Sequence, residues 1–266
     1  MTGHISRRNF CWGIAGLTAA SKLIPYSLAN DGSKTLSFVF SDSDPPTSYL
    51  ENSVSVGIFP DLVKGLFQVI DGYSIAQFSY PWKRAKLMVE HGEADAFCTV
   101  PSNATQEYTY FQRAPLYTDD FGYLIYNKDN PRAKGIEKVK SFEDLRSYRL
   151  MTDGKGSGWE FDNIPSYIKR VYAPTNDILL TQFVKRNVGE FFLKSIYEAR
   201  YQVGLKGFGD KLGYVKLNFI PNSKLPFHIG ISKQRPDAKK IIGLVDDATN
   251  SPQFKLRSAQ ILSRYS

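Results

Sequence analysis

Tyr73–Val100 reads YSIAQFSYPWKRAKLMVEHGEADAFCTV, and its punctuation decides the fold class. Tyr73–Tyr80 carries aromatic residues between small polar ones and reads as a strand. Pro81 then fits the first turn of a helix, where its fixed φ helps and its missing N–H costs nothing. Gly92 stops that helix. Ala94–Val100 follows as a short apolar strand. Strand, helix and strand in one segment make an α/β unit, with strands parallel in a sheet and the helix on its face.

The alternation continues in both directions. Upstream, Thr35–Phe40 is β-branched and aromatic, a strand. Ser41–Tyr49 (SDSDPPTSY) breaks it, because adjacent prolines cannot sit in a ladder. In Pro60–Ile70 the apolar residues Leu62, Val63, Leu66, Phe67 and Ile70 recur at helical spacing, and Asp71–Gly72 ends the run. Downstream, Phe121–Asn127 is a strand. Ser141–Asp144 is a capping-box variant with Asp at its last position, so a brief helix should follow. Tyr148–Thr152 is a strand, followed by glycine-rich Asp153–Asp162. Asp177–Asn187 reads as a helix and Gly189–Ser195 as a strand. Tyr214–Ile220 and Phe227–Ser232 read as strands around the turn Pro221–Lys224. Arg235–Asn250 and Pro252–Tyr265 close the chain as two helices.

In open α/β sheets, ligands bind beyond the carboxyl ends of the strands. Four stretches fall at that edge: Ser41–Tyr49, Ser79–Trp82, Cys98–Gln106 and Thr152–Gly158. Gly92–Tyr108 contains no Lys or Arg, yet Thr99, Ser102 and Asn103 offer neutral donors and acceptors suited to a small polar molecule. Tyr49 presents a ring and a hydroxyl after the double proline. Asp42 and Asp44 either bind a ligand cation or cap the local turn. Gly154, Gly156 and Ser157 place backbone N–H groups where a helix should start, an anion site in principle. Their spacing matches neither the P-loop nor the dinucleotide fingerprint. Lys83 and Arg84 read as a solvated helix face.

The first twenty-nine residues follow another logic. Arg7–Arg8 precede the apolar run Cys11–Leu17, and Ser27-Leu28-Ala29 ends in small residues. That order is a secretory signal cleaved after about Ala29, and the paired arginines point to the twin-arginine route. The apolar run is shorter than the roughly 20 residues of a membrane span. Cleavage would remove Arg7, Arg8 and Lys22 and no acid, taking the formal charge from +8 to +5. The remaining bases are interleaved with acids, so nucleic-acid binding is not expected. Cys98 would be the only cysteine left, and a lone thiol in an oxidising compartment is safest buried. Only His91 and His228 would remain, neither in a nucleophile motif, so no catalytic residue is assigned. No metal site and no cofactor are expected.

Three segments then carry a resemblance. Pro45–Phe67 (PPTSYLENSVSVGIFPDLVKGLF), Tyr80–Phe97 (YPWKRAKLMVEHGEADAF) and Phe111–Lys128 (FQRAPLYTDDFGYLIYNK) resemble the periplasmic solute-binding proteins of ABC importers, polar amino acid type, family 3. The likeness runs from about Leu36 to the C-terminus. It implies an α/β fold of the type II periplasmic binding kind: two α/β lobes with mixed sheets joined by two hinge strands. Lobe 1 would comprise 34–118 and 226–266, and lobe 2 would comprise 119–225. The crossings would lie near Thr118–Asp120 and Asn222–Pro226. A monomer is implied, with a small polar ligand between the lobes and an ABC permease in the inner membrane, or a sensor protein, as partner.

Two family anchors are missing from the pattern. Amino acid binders of this type place an arginine for the ligand's α-carboxylate where this chain has Thr105 or Gln106. They place an aspartate for the α-ammonium where it has Lys194-Ser195. Trp82 falls at the family's aromatic lid, and Arg113 is the nearest alternative cation. The resemblance thus implies a periplasmic receptor whose guest is not a standard α-amino acid. Its expected contacts are Asp42, Tyr49, Trp82, Thr99, Ser102, Asn103, Thr105, Gln106, Gly156 and Ser157. Two alternatives share the fold: a periplasmic dehydratase acting on prephenate-like compounds, and a sensing subunit for a membrane signalling partner.

Overall fold

The computed structural model describes residues 34–153 and 159–265. The expected signal segment and Gly154–Gly158 lie outside the described residues, and so do the expected contacts Gly156 and Ser157.

The chain opens with β1 (Lys34–Ser41), then three short strands, β2 (Ser43–Asp44), β3 (Ser48–Glu51) and β4 (Val54–Val56). These form a small antiparallel meander across the stretch read from sequence as a break. Helix α1 (Ile58–Phe67), β5 (Tyr73–Tyr80), α2 (Trp82–Glu90) and β6 (Ala96–Thr99) follow, as the alternation requires. Next come α3 (Asn103–Tyr108), β7 (Thr109–Phe111) and β8 (Tyr117–Asp120). Beyond these lie β9 (Tyr123–Asn127), the short helices α4 (Ala133–Ile136) and α5 (Phe142–Leu145), β10 (Arg149–Thr152), α6 (Trp159–Asn163) and β11 (Lys169–Tyr172). The chain continues through α7 (Asn176–Arg186), β12 (Phe192–Lys194), α8 (Ile196–Leu205) and β13 (Leu212–Lys216). It returns along β14 (Lys224–Ser232) and ends in α9 (Ala238–Asn250) and α10 (Pro252–Leu262).

The large sheet runs β5-β1-β6-β14-β7, with β8 also paired to β14. β1 is parallel to β5 and β6, while β14 is antiparallel to β6, β7 and β8. Side chains alternate across it as a pleat demands. Leu36, Phe38 and Phe40 pack with α1, α9 and α10 through Leu62, Leu66, Val245 and Phe254. Val39 and Phe97 face the other way, onto Ala85 and Val89 of α2.

A second sheet system is built on β9. It pairs antiparallel with β12 and β13, while β10 and β11 pair parallel beside it. It too has a core on each side. Leu124, Leu150 and Phe191 join Ile136 and Leu145, while Ile125, Met151 and Phe192 join Leu180, Phe183, Ala199 and Val203. Alternation alone therefore suggested parallel sheets, but the sheets are mixed. The strand read at Tyr214–Ile220 runs instead over Leu212–Lys216; Leu217 and Ile220 are buried in the core beyond its end.

Two antiparallel strands join the systems. Asp120 pairs with Lys224 and Tyr117 with Phe227, so the outgoing chain and the returning chain lie side by side.

Candidate functional site

Three parallel strands finish together. β1 ends at Ser41, in register with Tyr80 at the end of β5, and β6 ends beside them at Thr99. The segments leaving these strands share one edge of the sheet, where this topology binds ligands. They wall a cavity of about 430 Å³. Phe40, Ser41 and Asp44 line it from the end of β1 and from β2, with Thr47 and Ser48 from the loop and strand that follow. Trp82 enters from the start of α2, Thr99 and Cys98 from β6, and Phe59 and Phe227 from α1 and β14. The second sheet system closes the cavity with Phe121, Asp153, Glu198 and Gln202. All four stretches singled out in the sequence contribute to this wall.

The loop over the cavity is held by the helix behind it. The first N–H groups of α1, at Ile58 and Phe59, donate to the carbonyls of Pro46 and Thr47 at 2.9 Å each. Gly57 makes this approach possible. Its φ is +118°, and a Cβ there would sit 2.7 Å from the Pro46 oxygen.

Trp82 serves two roles that the sequence left as alternatives. Its ring stands edge-on to Phe97, with centroids 5.9 Å apart, so it is anchored to the core under α2. It also lines the cavity. Hydroxyls of buried Ser41 and Ser48 and half-buried Thr99 supply uncharged hydrogen-bonding groups on the same side.

The opposite wall is charged. Lys194 Nζ lies 2.7 Å from Glu198 and 3.8 Å from Asp153. Burial works against the lysine's charge, but Glu198 and Asp153 outweigh it and hold the ammonium above the usual lysine range. α8 presents Glu198 one turn before Gln202, so both reach the same face. Among the described residues, neither Lys nor Arg lines the cavity, and no cluster of three or more His, Cys, Asp or Glu is arranged to hold a metal.

The other expected contacts lie outside this lining. Ser102 caps α3: its hydroxyl accepts from the Thr105 N–H at 3.2 Å, and the Thr105 hydroxyl accepts from the Ser102 N–H at 2.9 Å. Thr105 is buried in that exchange, and Asn103 and Gln106 are exposed on the same short helix. The main chain of Asp42 bonds Tyr80 and Leu50. Tyr49 stands against Tyr201 of α8, with ring centroids 6.0 Å apart. Arg113 is exposed, its backbone N–H and Nε donating to Asp246 of α9 at 2.7 and 3.2 Å.

No protein-family model and no curated protein matches the sequence. Solved structures do match. An ancestral cationic amino acid solute-binding protein superposes with a TM-score of 0.66 at 19% identity, over 87% of this chain and 95% of its own. The probable amino-acid ABC transporter extracellular-binding protein ytmK of Bacillus subtilis gives 0.66 at 11%, over 88% and 97%. This chain has the type II periplasmic binding protein fold. A histidine kinase sensor domain with similarity to periplasmic binding proteins shares that fold, at 0.57 and 12% identity over 88% and 97%. These similar structures are binding proteins and a sensor domain rather than enzymes.

In this type II chain the sequence left Glu198, Gln202, Phe121 and Phe227 unassigned. Glu198 and Gln202 sit on a helix whose apolar residues form no clean stripe, so its cavity face was not legible. Phe121 follows β8 and Phe227 lies within β14, and the pairing of these two crossing strands brings both to the cavity. No helix among the described residues is long and apolar enough to cross a membrane.

Proposed function

We propose that this chain is a receptor that captures a small polar molecule between two lobes, 34–118 with 226–266 and 119–225, and presents the closed form to a membrane partner. The observation that carries this reading is the cavity itself. One wall is made from strand ends of the large sheet and the other from Phe121, Asp153 and α8, and among the described residues only β8 and β14 cross between the systems. Two crossing strands are a small hinge, and a guest touching both walls favours the closed arrangement by its extra contacts. Closure also removes water and strengthens each polar contact inside.

The guest is not a standard α-amino acid held by the family's ion pairs. Arg113 is engaged by Asp246 at the surface, Thr105 and Gln106 belong to α3, and Lys194 stands where the family places an acid. An ABC permease is the partner this reading favours. The likeness to a histidine kinase sensor domain supports a second reading, delivery of the same closed form to a signalling protein. Residues 1–29 serve as an export signal, cleaved after about Ala29 on the twin-arginine route, and place the receptor in the periplasm.

A thermal-shift screen of the purified protein against a metabolite panel, followed by small-angle scattering with each hit, tests the receptor reading. A ligand at a hundredfold its Kd should add about 2.7 kcal/mol of stability, and the radius of gyration should not increase on binding. Absence of any stabilising compound, or a hit that leaves Trp82 and Glu198 unperturbed, would sink it.

A further inference from the structure

We infer that the guest of this cavity is an organic cation bearing no carboxylate, of the aliphatic amine or quaternary ammonium class. The inference rests on the receptor reading above and narrows its ligand.

Charge is the first argument. Asp44 faces the cavity from one wall and Asp153 and Glu198 from the other, while the described lining holds no Lys or Arg. Lys194 behind the second wall offsets one of these three carboxylates through its contacts to Glu198 and Asp153. The described lining residues taken together with Lys194 therefore carry an excess of two negative charges. Lys155 lies outside the described residues. A carboxylate-bearing guest would enter an acidic enclosure whose described lining has no guanidinium to receive it, and like charge disfavours that state. A cation relieves the repulsion between the walls as it bridges them.

Aromatic surface is the second, independent argument. Phe40, Phe59, Trp82, Phe121 and Phe227 all line the same space, so rings come from both walls. Ring faces attract ammonium groups, and the attraction grows as water is excluded. Phe59 and Phe227 lie 4.8 Å apart and Phe121 packs on Trp159 at 5.6 Å, so these rings are held in place before a guest arrives. Rings combined with carboxylates suit an alkylammonium: its charge meets the acids and its methylenes meet the rings. A sugar or a neutral amide would leave the two carboxylate charges that Lys194 does not offset without a counter-charge.

Isothermal titration of the full protein with putrescine, choline, arginine, glutamine and glutamate tests this. Putrescine or choline should bind, and arginine should bind at least tenfold more weakly than the better of them. Glu198→Gln should weaken that binding at least tenfold. Asp44→Asn, at an exposed position that packs into no core, should weaken it about threefold and guards against a variant that fails to fold. Binding of arginine, glutamine or glutamate with no binding of putrescine or choline would overturn the cation inference and leave the receptor reading standing. Unchanged affinity in both variants would overturn it too. If none of the five binds and the metabolite screen also yields nothing, both readings fall.

Discussion

Tyr49 on β3 and Tyr201 on α8 meet ring against ring, each next in sequence to a cavity-lining residue (Ser48 and Gln202), with centroids 6.0 Å apart and planes tilted by 51°. Burial first, and the neighbouring Tyr201 hydroxyl second, push the Tyr49 phenol above its ordinary range. This pair joins the small β2-β3-β4 meander, which follows β1, to the helix that supplies the opposite wall. On the proposed receptor reading it is a contact that lobe closure would make, separate from any contact with the guest.

Removing one of these rings should weaken ligand binding without touching the ligand. An aromatic pair contributes about 1 kcal/mol beyond its area, which corresponds to roughly fivefold in Kd. Tyr49→Ala and Tyr201→Ala should each raise Kd by about that factor, and the double variant by no more than either alone. Titration calorimetry on the four proteins closes the cycle. Strictly additive losses would mean that the rings do not act as a pair.

Asp119 makes stability depend on pH. It is buried on β8, at the crossing, and burial raises its carboxyl from 3.8 to about 6, although the nearby Tyr117 and Ser195 hydroxyls and the Asp120 N–H pull the other way. The native state therefore keeps a proton that the unfolded state releases between about pH 4 and pH 6. Stability from this group is complete below pH 4 and declines as pH rises to 6, by something on the order of 3 kcal/mol. Asp119→Asn cannot ionise. Its melting temperature relative to the parent should climb between pH 4 and pH 6 and level off above that, in calorimetric scans. A difference that stays flat over this window would refute the assignment.

Much of this arrangement was legible because it obeys local rules. The segment from Tyr73 to Thr99 folds as its punctuation reads, β5 and α2 beginning and ending within a residue or two of the expected places. Three of the strand-end stretches reach one cavity because the parallel strands β1, β5 and β6 put their carboxyl ends on one side, and the fourth meets them from β10 of the second sheet system through Asp153. Individual side chains were harder to place. Ser102 and Thr105 look like free hydrogen-bonding groups, but they stand three apart at a helix start, and that spacing lets each satisfy the other's N–H. Asp44 reaches the cavity lining and Asp42 does not, a distinction of two positions that depends on the turn between β1 and β2. Glu198 depends on a helix with weak periodicity and on the crossing strands, and both are tertiary facts.

Lys194 gives a test of the charged wall. Its ammonium keeps Glu198 and Asp153 from facing each other unpaired. Lys194→Met should lower stability by roughly 3 kcal/mol, since one partner of a largely buried pair is removed. The same change leaves the cavity more acidic, so affinity for putrescine should hold or rise while the melting temperature of the unliganded protein falls. Thermal denaturation and titration on one preparation separate the two effects. Parallel loss of stability and affinity would show that Lys194 supports the guest directly.

Trp82 offers an optical readout of the same cavity. Its ring is wedged between Phe97 and the open space, with Lys86 Nζ 5.8 Å from the ring, so one edge is fixed while the rest meets whatever enters. A guest that displaces water from that surface should change the indole emission. The other described tryptophan, Trp159, is absent from the lining, donates its Nε1–H to the Asn222 carbonyl at 2.6 Å and packs on Phe121. Trp82→Phe should therefore abolish most of the ligand-induced change, while keeping a ring against Phe97 and losing at most about 1 kcal/mol of stability. Trp82→Ala should cost more, about 2 kcal/mol for a half-buried ring, and weaken binding about tenfold. Fluorescence titration of the three proteins decides the matter: if Trp82→Phe retains the full emission change, the indole does not border the guest, and the aromatic part of the wall must be reassigned to Phe121 and Phe227.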